Sequence, residues 1–262
     1  MFAVGDFEGN ALAYVNGNPV PGAYSTIIDG RDIYVDAVNG SDANDGFSAS
    51  TAKKTLAAAL AIAYAGDVVH AAPGDYNEGS ATYTGGTIVS APNGGTHSPS
   101  RGVLRKGVTL VSDEGPGVTF ISGVVGNSNG LGDNAVRCLT ALGGSTVRGF
   151  TLRNGGTFNT TGAIRDENIG GLVISPSCRH GVSGTAVFEN CVLSNGWGRT
   201  AGCVAGGILR NCKVFDGHAT SGASLSMYSR FENCLLVATS NTGVRNCGGM
   251  ISTTFINERG GG

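Results

Sequence analysis

The side chains best suited to chemistry fall in three short segments: Phe158, Asp166 and Glu167 in 155–170, Trp197 and Arg199 in 194–206, and Asp216, His218 and Tyr228 in 216–228. If loops carry these segments to one side of the molecule, aromatic rings and mixed charges line one groove. Rings lie against sugar faces and charged groups fix hydroxyls or carboxylates, so the ligand expected there is a polysaccharide, with Trp197, Phe158, Tyr228 and His218 as its binding residues. Lys213 is the candidate base. It is expected to point outward in a column between Val192 and Leu235, where apolar neighbours favour an uncharged amine. Its second reading is a stem that covers apolar surface while the head stays in water. Trp197 also has two readings, a sugar platform or a ring folded back over the chain.

Other chemistries lack their residues. His70, His97, His180 and His218 are scattered without zinc spacing. No Ser-His-Asp order, phosphate-binding glycine loop or nucleophile elbow is present. The acidic run from Asp42 looks like a calcium loop only superficially: its sixth position is Phe47 where glycine is needed, and its twelfth is Lys53 where glutamate is needed. Asp42, Asn44 and Asp45 are instead expected to bond their own backbone as Asx-turns.

What positions the candidate groups is a repeat. Phe188-Glu189-Asn190-Cys191-Val192-Leu193 returns as Leu209-Arg210-Asn211-Cys212-Lys213-Val214 and as Phe231-Glu232-Asn233-Cys234-Leu235-Leu236, at steps of 21 and 22 residues. Units this short cannot bury their own apolar faces and must stack. Apolar residues alternate at period two on both sides of each Asn, so each unit reads as strand, bend, strand and loop. The fold expected is an all-β solenoid, a parallel β-helix. Stacking puts Asn190, Asn211 and Asn233 in a ladder of amides, and Cys191, Cys212 and Cys234 in a core column. Val147-Arg148-Gly149-Phe150-Thr151-Leu152 is a fainter copy, expected about two coils earlier, and Val244-Arg245-Asn246-Cys247 a shortened one. Arg148, Glu189, Arg210, Glu232 and Arg245 precede the bends, and from Glu189 onward their alternating sign would pair neighbouring strands.

Composition narrows the function classes. The 262 residues include 45 glycines, 14% charged residues and 40% apolar ones, which suits many tight turns around a core. A net charge of -2 leaves no basic footprint for nucleic acid, and no apolar run is long enough to span a bilayer. Seven cysteines leave at least one unpaired; Cys178 and Cys203, expected in loops, are the two to test for a bridge. The first residues show no signal peptide.

In chain order, residues 1–30 read as an extension packing on the first coil or a linker. From 31 to 262 the chain reads as one β-helix domain. Ile33–Asp36 is a strand, and Thr51 is expected to cap a helix whose Leu56, Leu60 and Ala63 share one apolar face and which Gly66 stops. Such a helix would cover the open end of the first coil. Residues 79–106 read as a long loop, and strands resume from 107 to 257. Without an evident cap after residue 257, self-association or a following C-terminal domain is expected at that end.

Tyr34-Val35-Asp36, Asn39-Gly40-Ser41-Asp42, Asn44-Asp45-Gly46, Thr55-Leu56, Gly66-Asp67-Val68-Val69 and Ala72-Pro73-Gly74-Asp75-Tyr76 together resemble the N-terminal cap and first coil of the pectate-lyase-like right-handed parallel β-helix superfamily. The resemblance covers residues 33–78 and extends to the later coils by pattern. It implies a right-handed helix and an extracellular or cell-surface protein acting on an acidic polysaccharide. A lyase of this kind would work by β-elimination, with Lys213 and Arg199 as catalytic groups and Ca2+ held by Asp166, Glu167 and Asp216. The alternative is a non-catalytic, adhesin-type surface solenoid.

Overall fold

A computed structural model describes residues 30–84, 87–89, 98–158, 169–175, 186–239 and 242–257, with the backbone of 3–5, 11–15 and 18–19. Val147, Phe188, Leu209 and Phe231 stand one above another in parallel register, as do Leu152, Leu193, Val214 and Leu236. All eight are fully buried. Between the two columns the chain turns at Gly149, Asn190, Asn211 and Asn233, with φ of 81, 53, 52 and 53°. Left-handed backbone is routine for glycine and tolerated by asparagine, whose short amide bonds locally. That is why this corner of each coil carries one or the other.

Each coil visits three parallel sheets in turn. The first has eight strands, from Asp32–Val35 to Gly249–Ile251; the second has seven, from Gly74–Tyr76 to Thr254–Asn257; the third has six, from Ser100–Leu104 to Thr242–Arg245. The molecule is a right-handed parallel β-helix with an N-terminal amphipathic capping helix. One apolar core runs its length, from Ile33 to Ala238. In the extension, Ala3–Gly5, Ala11–Val15 and Asn18–Pro19 pair antiparallel in a separate small sheet.

The cap is tied by named bonds. Helix Leu56–Ala61 is capped by Thr55, whose hydroxyl accepts from the Ala58 N–H at 3.2 Å. Thr51 instead ends a single 3-10 turn capped by Ser48; the helix starts later because Asp42 accepts from the N–H groups of Lys54 and Thr55 and holds Thr55 at the cap. The helix ends at Ala61, before Gly66, and Arg105 donates to the carbonyls of Leu60 and Ala61 in its last turn and of Ala63 just beyond it. Leu56, Leu60 and Ala63 are buried, and Gly102 on the first strand of the third sheet leaves room for Leu60. Of the expected Asx-turns only Asp45 forms one, accepting from the Phe47 N–H two residues on; Asp42 reaches across to the N–H groups of Lys54 and Thr55, and Asn44 donates to the Ala52 carbonyl at 3.0 Å.

Several expectations need correction. The copy at 147–152 lies one coil before Phe188: Val147 pairs with Phe188 in register, so the step of 41 residues is one long coil. Arg148 therefore joins the charge ladder: it donates to Glu189 at 2.9 Å, and Arg210 bridges Glu189 at 3.4 Å and Glu232 at 2.8 Å. Val244-Arg245-Asn246-Cys247 belongs to the third sheet, where Arg245 aligns with Met227, so Arg245 stands outside that ladder. The position above Glu232 is Ile251. Residues 79–106 include a hairpin, Thr82–Thr84 with Thr87–Val89, and the strand Ser100–Leu104. Cys203 is a free, fully buried core thiol; Cys178 lies outside the described residues.

The asparagine ladder is present but exposed, with Asn233 donating to Asn211 at 2.7 Å. Its contribution is therefore mainly conformational. Asn211→Ala should cost about 1–2 kcal/mol, the strain of an L side chain in left-handed backbone, while Asn211→Gly should cost less than half of that. Chemical denaturation of both variants checks the order; equal losses would return the weight to the amide bonds.

On the outer face of the first sheet, His70 bonds Asp113 at 3.1 Å through Nδ1 and Asp32 at 3.0 Å through Nε2, tying three strands. Burial lowers the imidazole's affinity for a proton, but the two carboxylates outweigh it and raise the pKa above its ordinary 6.5. A raised folded value adds stability fully below the ordinary value and loses it as pH climbs through the folded one. The melting-temperature gap between the wild type and His70→Gln should be widest near about pH 5.5 and closed by about pH 9. A gap that grows with pH would contradict the pairing.

Candidate functional site

The second sheet bends again within its long strands Val192–Gly198 and Lys213–Ala219. Asn154, Asn195 and Asp216 hold φ of 56, 53 and 52° there. Each is followed by a glycine, because the third sheet passes close by: a Cβ on Gly196 would lie 2.5 Å from the Gly202 carbonyl oxygen, and one on Gly217 would lie 2.2 Å from that of Ser224. These segments were expected to be loops. Their first residues, 155–156, 194–198 and 216–219, are second-sheet strand, and Asn-Gly and Asp-Gly pairs recurring at the step of the main repeat were the signal for the bend.

Asn195 donates to Asn154 at 2.9 Å and accepts from the Trp197 indole N–H at 2.7 Å. Asp216 takes the next place in this column. A carboxylate has no hydrogen to hand upward or downward, and instead it meets His218 Nε2 at 3.1 Å. Trp197 and His218, neighbours in register, stack with centroids 4.0 Å apart and planes 16° from parallel. From the side of the earlier coils Gly130 presses on the indole: a Cβ there would come within 1.9 Å of the ring. Gly130 sits near the tip of a narrow excursion, 123–136, held by antiparallel bridges between Val124 and Val136, Gly126 and Gly130, and Ser128 and Leu131. Trp197 is thus packed between backbone and imidazole, and His218, with 34% of its side chain exposed, presents the end of the stack.

Three expected site residues, Trp197, Asp216 and His218, come together. Lys213 is on the same strand, exposed and outward, in register with Val192 and Leu235 as the alternation predicts. Phe215, two residues on and 38% exposed, shares that face with Val237, and only the structure singles it out. Arg199 follows the end of the Trp197 strand, half-buried, with its carbonyl accepting from the Ser221 N–H at 2.7 Å. Phe158 is buried at 4% exposure and turns no ring face outward. Tyr228, at φ 61°, packs on a separate apolar cluster of the third sheet around Ile174 and Met227. Asp166 and Glu167 lie outside the described residues. Among the described residues no group of three His, Cys, Asp or Glu side chains is placed to hold a metal ion.

A second outer-face cluster lies in the first coils. Arg153 donates to Asp75 at 3.0 Å and to Ser122 at 3.0 Å, with its guanidinium 4.2 Å from the Phe120 ring centroid. Three coils are riveted together by that one side chain.

A family model described as "Protein of unknown function (DUF1565)" matches residues 38–256. The chain belongs to that family. The DUF1565 match runs from the cap loop to the last coil and takes in every site residue named above. No curated protein matches the chain. Among solved structures, a rhamnogalacturonan lyase is similar over 87% of this chain and 58% of its own, with 16% identity and a TM-score of 0.50. Pectin methylesterase PemA from Erwinia chrysanthemi is similar over 89% of this chain and 67% of its own, at 17% identity and a TM-score of 0.48. For the pectin methylesterase from carrot the values are 89%, 65%, 14% and 0.46. At such identities the likeness is one of fold. No helix among the described residues is long and apolar enough to cross a membrane.

Because the chain has one tryptophan, its emission reports on this packing alone. Gly130→Ala should push the indole out of its slot and shift its emission to longer wavelength, with the far-ultraviolet circular dichroism of the coils retained. Unchanged emission would mean that Gly130 does not confine the ring.

Proposed function

We propose that the chain binds a polysaccharide across the outer face of its second sheet, where His218 and Asp216 provide the polar contacts and Phe215 and Lys213 the flanking surface. The observation that carries this reading is the break in the second column. Asn154 and Asn195 obey the repeat, and Asp216 replaces the amide expected next with a half-exposed carboxylate beside an imidazole. Repetitive structures break their own local rule chiefly where something other than stacking is selected. A stacked imidazole with a third of its side chain exposed can meet a sugar ring, and the adjacent carboxylate accepts from hydroxyls. Coils about 4.8 Å apart also repeat on the length scale of a single sugar unit, which suits a polymer lying along the stack. Sharing the fold of a rhamnogalacturonan lyase adds an analogy of architecture, and the reading places the chain outside the cell or on its surface.

Cleavage by β-elimination is the finer form of this proposal, with Lys213 as base, Arg199 beside the strand end and calcium as the neutralising cation. Lys213 stands outward and exposed, in register with Val192 and Leu235, on the face proposed to meet the polymer.

Titration with pectate, alginate, a glycosaminoglycan and a neutral glucan, followed by Trp197 emission, tests binding. A saturable change with an acidic polymer, lost in His218→Ala, is expected. Asp216→Asn should keep or gain thermal stability, because an amide restores the column and tolerates the left-handed backbone, yet weaken binding at least about threefold, the loss of one hydrogen-bonding group at an exposed site. Silence with every polymer, or full affinity in Asp216→Asn, would count against the site. Growth of unsaturated-uronate absorbance that depends on Lys213 and stops on chelation would establish elimination with calcium; binding without such absorbance would leave a non-catalytic surface solenoid.

A further inference from the structure

Asn-Gly is a chemically labile pair. The glycine nitrogen, with no Cβ beside it to crowd the approach, can attack the asparagine side-chain carbonyl, and in a folded chain the outcome turns on whether the amide and the N–H are already held. The described residues include four such pairs, at 39–40, 129–130, 154–155 and 195–196. Asn39 donates to Asp36 at 3.1 Å, and the Gly40 N–H donates to the Asp36 carbonyl at 2.9 Å. Asn154 and Asn195 bond each other, Asn195 also accepts from the indole N–H, and Gly155 and Gly196 stand opposite each other inside paired strands. Asn129 differs from all three. It is exposed, and among the described residues nothing bonds its amide or the Gly130 N–H.

Asn129 and Gly130 form the two-residue turn at the tip of the 123–136 excursion. Ser128 and Leu131 exchange backbone bonds at 2.7 and 3.0 Å across it, and φ values of 50 and 84° are those of a type I′ turn, which favours Asn-Gly. The turn accounts for the residue pair; its chemistry is a separate consequence. Gly130 is also the residue whose backbone confines Trp197.

We propose that Asn129 is a site of spontaneous deamidation and that its isoaspartate product releases the indole. The Gly130 nitrogen loses its proton to base and attacks Asn129 Cγ; the Cγ–Nδ2 bond breaks and ammonia leaves, giving a succinimide. Water then opens the ring. Opening at one carbonyl gives aspartate with the main chain unaltered. Opening at the other gives isoaspartate, in which the main chain runs through the former side chain and is longer by one methylene. Water is the only co-reactant and ammonia the only leaving group. Aspartate tolerates left-handed backbone and keeps the turn. A two-residue turn fixes the register of its two arms, so the added methylene displaces Gly130 and with it the contact on Trp197.

The folded chain, held at mildly alkaline pH, digested with trypsin and read by mass spectrometry, should show conversion at Asn129 ahead of Asn39, Asn154 and Asn195. Trp197 emission should move to longer wavelength in proportion to the isoaspartate fraction. Asn129→Gly keeps the left-handed turn and has no amide to lose, so its emission should hold through the same incubation. Asn129→Asp supplies the charge without the methylene and should emit like the fresh wild type. No conversion, conversion led by another of these pairs, or isoaspartate with unchanged emission would each overturn the proposal. So would a drift in Asn129→Gly equal to that of the wild type, or a shifted emission in fresh Asn129→Asp. Should a variant fail to fold, the order of conversion and the emission of the wild type decide.

Discussion

Everything in this molecule depends on parallel strands stacking in register about 4.8 Å apart. That spacing makes each residue the neighbour of its equivalents in the coils above and below, so one position is in effect chosen for the whole column. A corner works only if every coil turns at the same place. Left-handed asparagine or glycine at 149, 190, 211 and 233 meets that condition, and Ser252 at φ 47° extends it to the last coil. The backbone ladder passes through the corner unbroken: the N–H groups of Gly149, Asn190, Asn211 and Asn233 donate to Glu189, Arg210, Glu232 and Ile251 at 2.9–3.0 Å. Core columns and charge ladder both follow from that register.

The first two sheets were legible because each has one face in the core and one toward water, which writes period two into the chain. Most of the third sheet was not. All five residues of Arg137–Ala141 and all five of Ala223–Met227 are buried, so neither strand alternates. Ser100–Leu104 was hidden in the same way, with burial at four of its five positions and a glycine where the capping helix approaches. The cysteine column was readable as core: Cys191, Cys212 and Cys234 each point a thiol at the carbonyl two residues back. Burial also pushes the Cys203 thiol up to about 12, which keeps it protonated and unreactive.

The candidate site was legible in composition and obscure in geometry. Trp197, Asp216 and His218 were selected as residue types, yet what joins them is their place on two adjacent strands. Phe158 and Tyr228 were chosen by the same reasoning and fail on burial and position, since a ring in a glycine-rich segment can face either way. Nothing local in the chain announces that Gly130, 67 residues before Trp197, presses on the indole. Contacts of that range are set by the stack, and only the stack reveals them.

Trp197 itself shows how a solenoid can convert packing into a site. An indole open to water would bind sugars with little orientation. Gripped by Gly130, tied through its N–H to Asn195 and stacked on His218, it becomes the fixed base against which the imidazole is held, with the two ring planes 16° from parallel. The imidazole is held in turn by Asp216, which the column keeps in left-handed backbone. The polar pair facing solvent is therefore oriented by structural elements that contribute no chemistry. Such preorganisation lowers the entropy lost when a ligand is fixed. It also explains why the departure from the repeat falls at Asp216: one coil earlier the same position accepts from the indole and donates to Asn154 at once, which takes an amide.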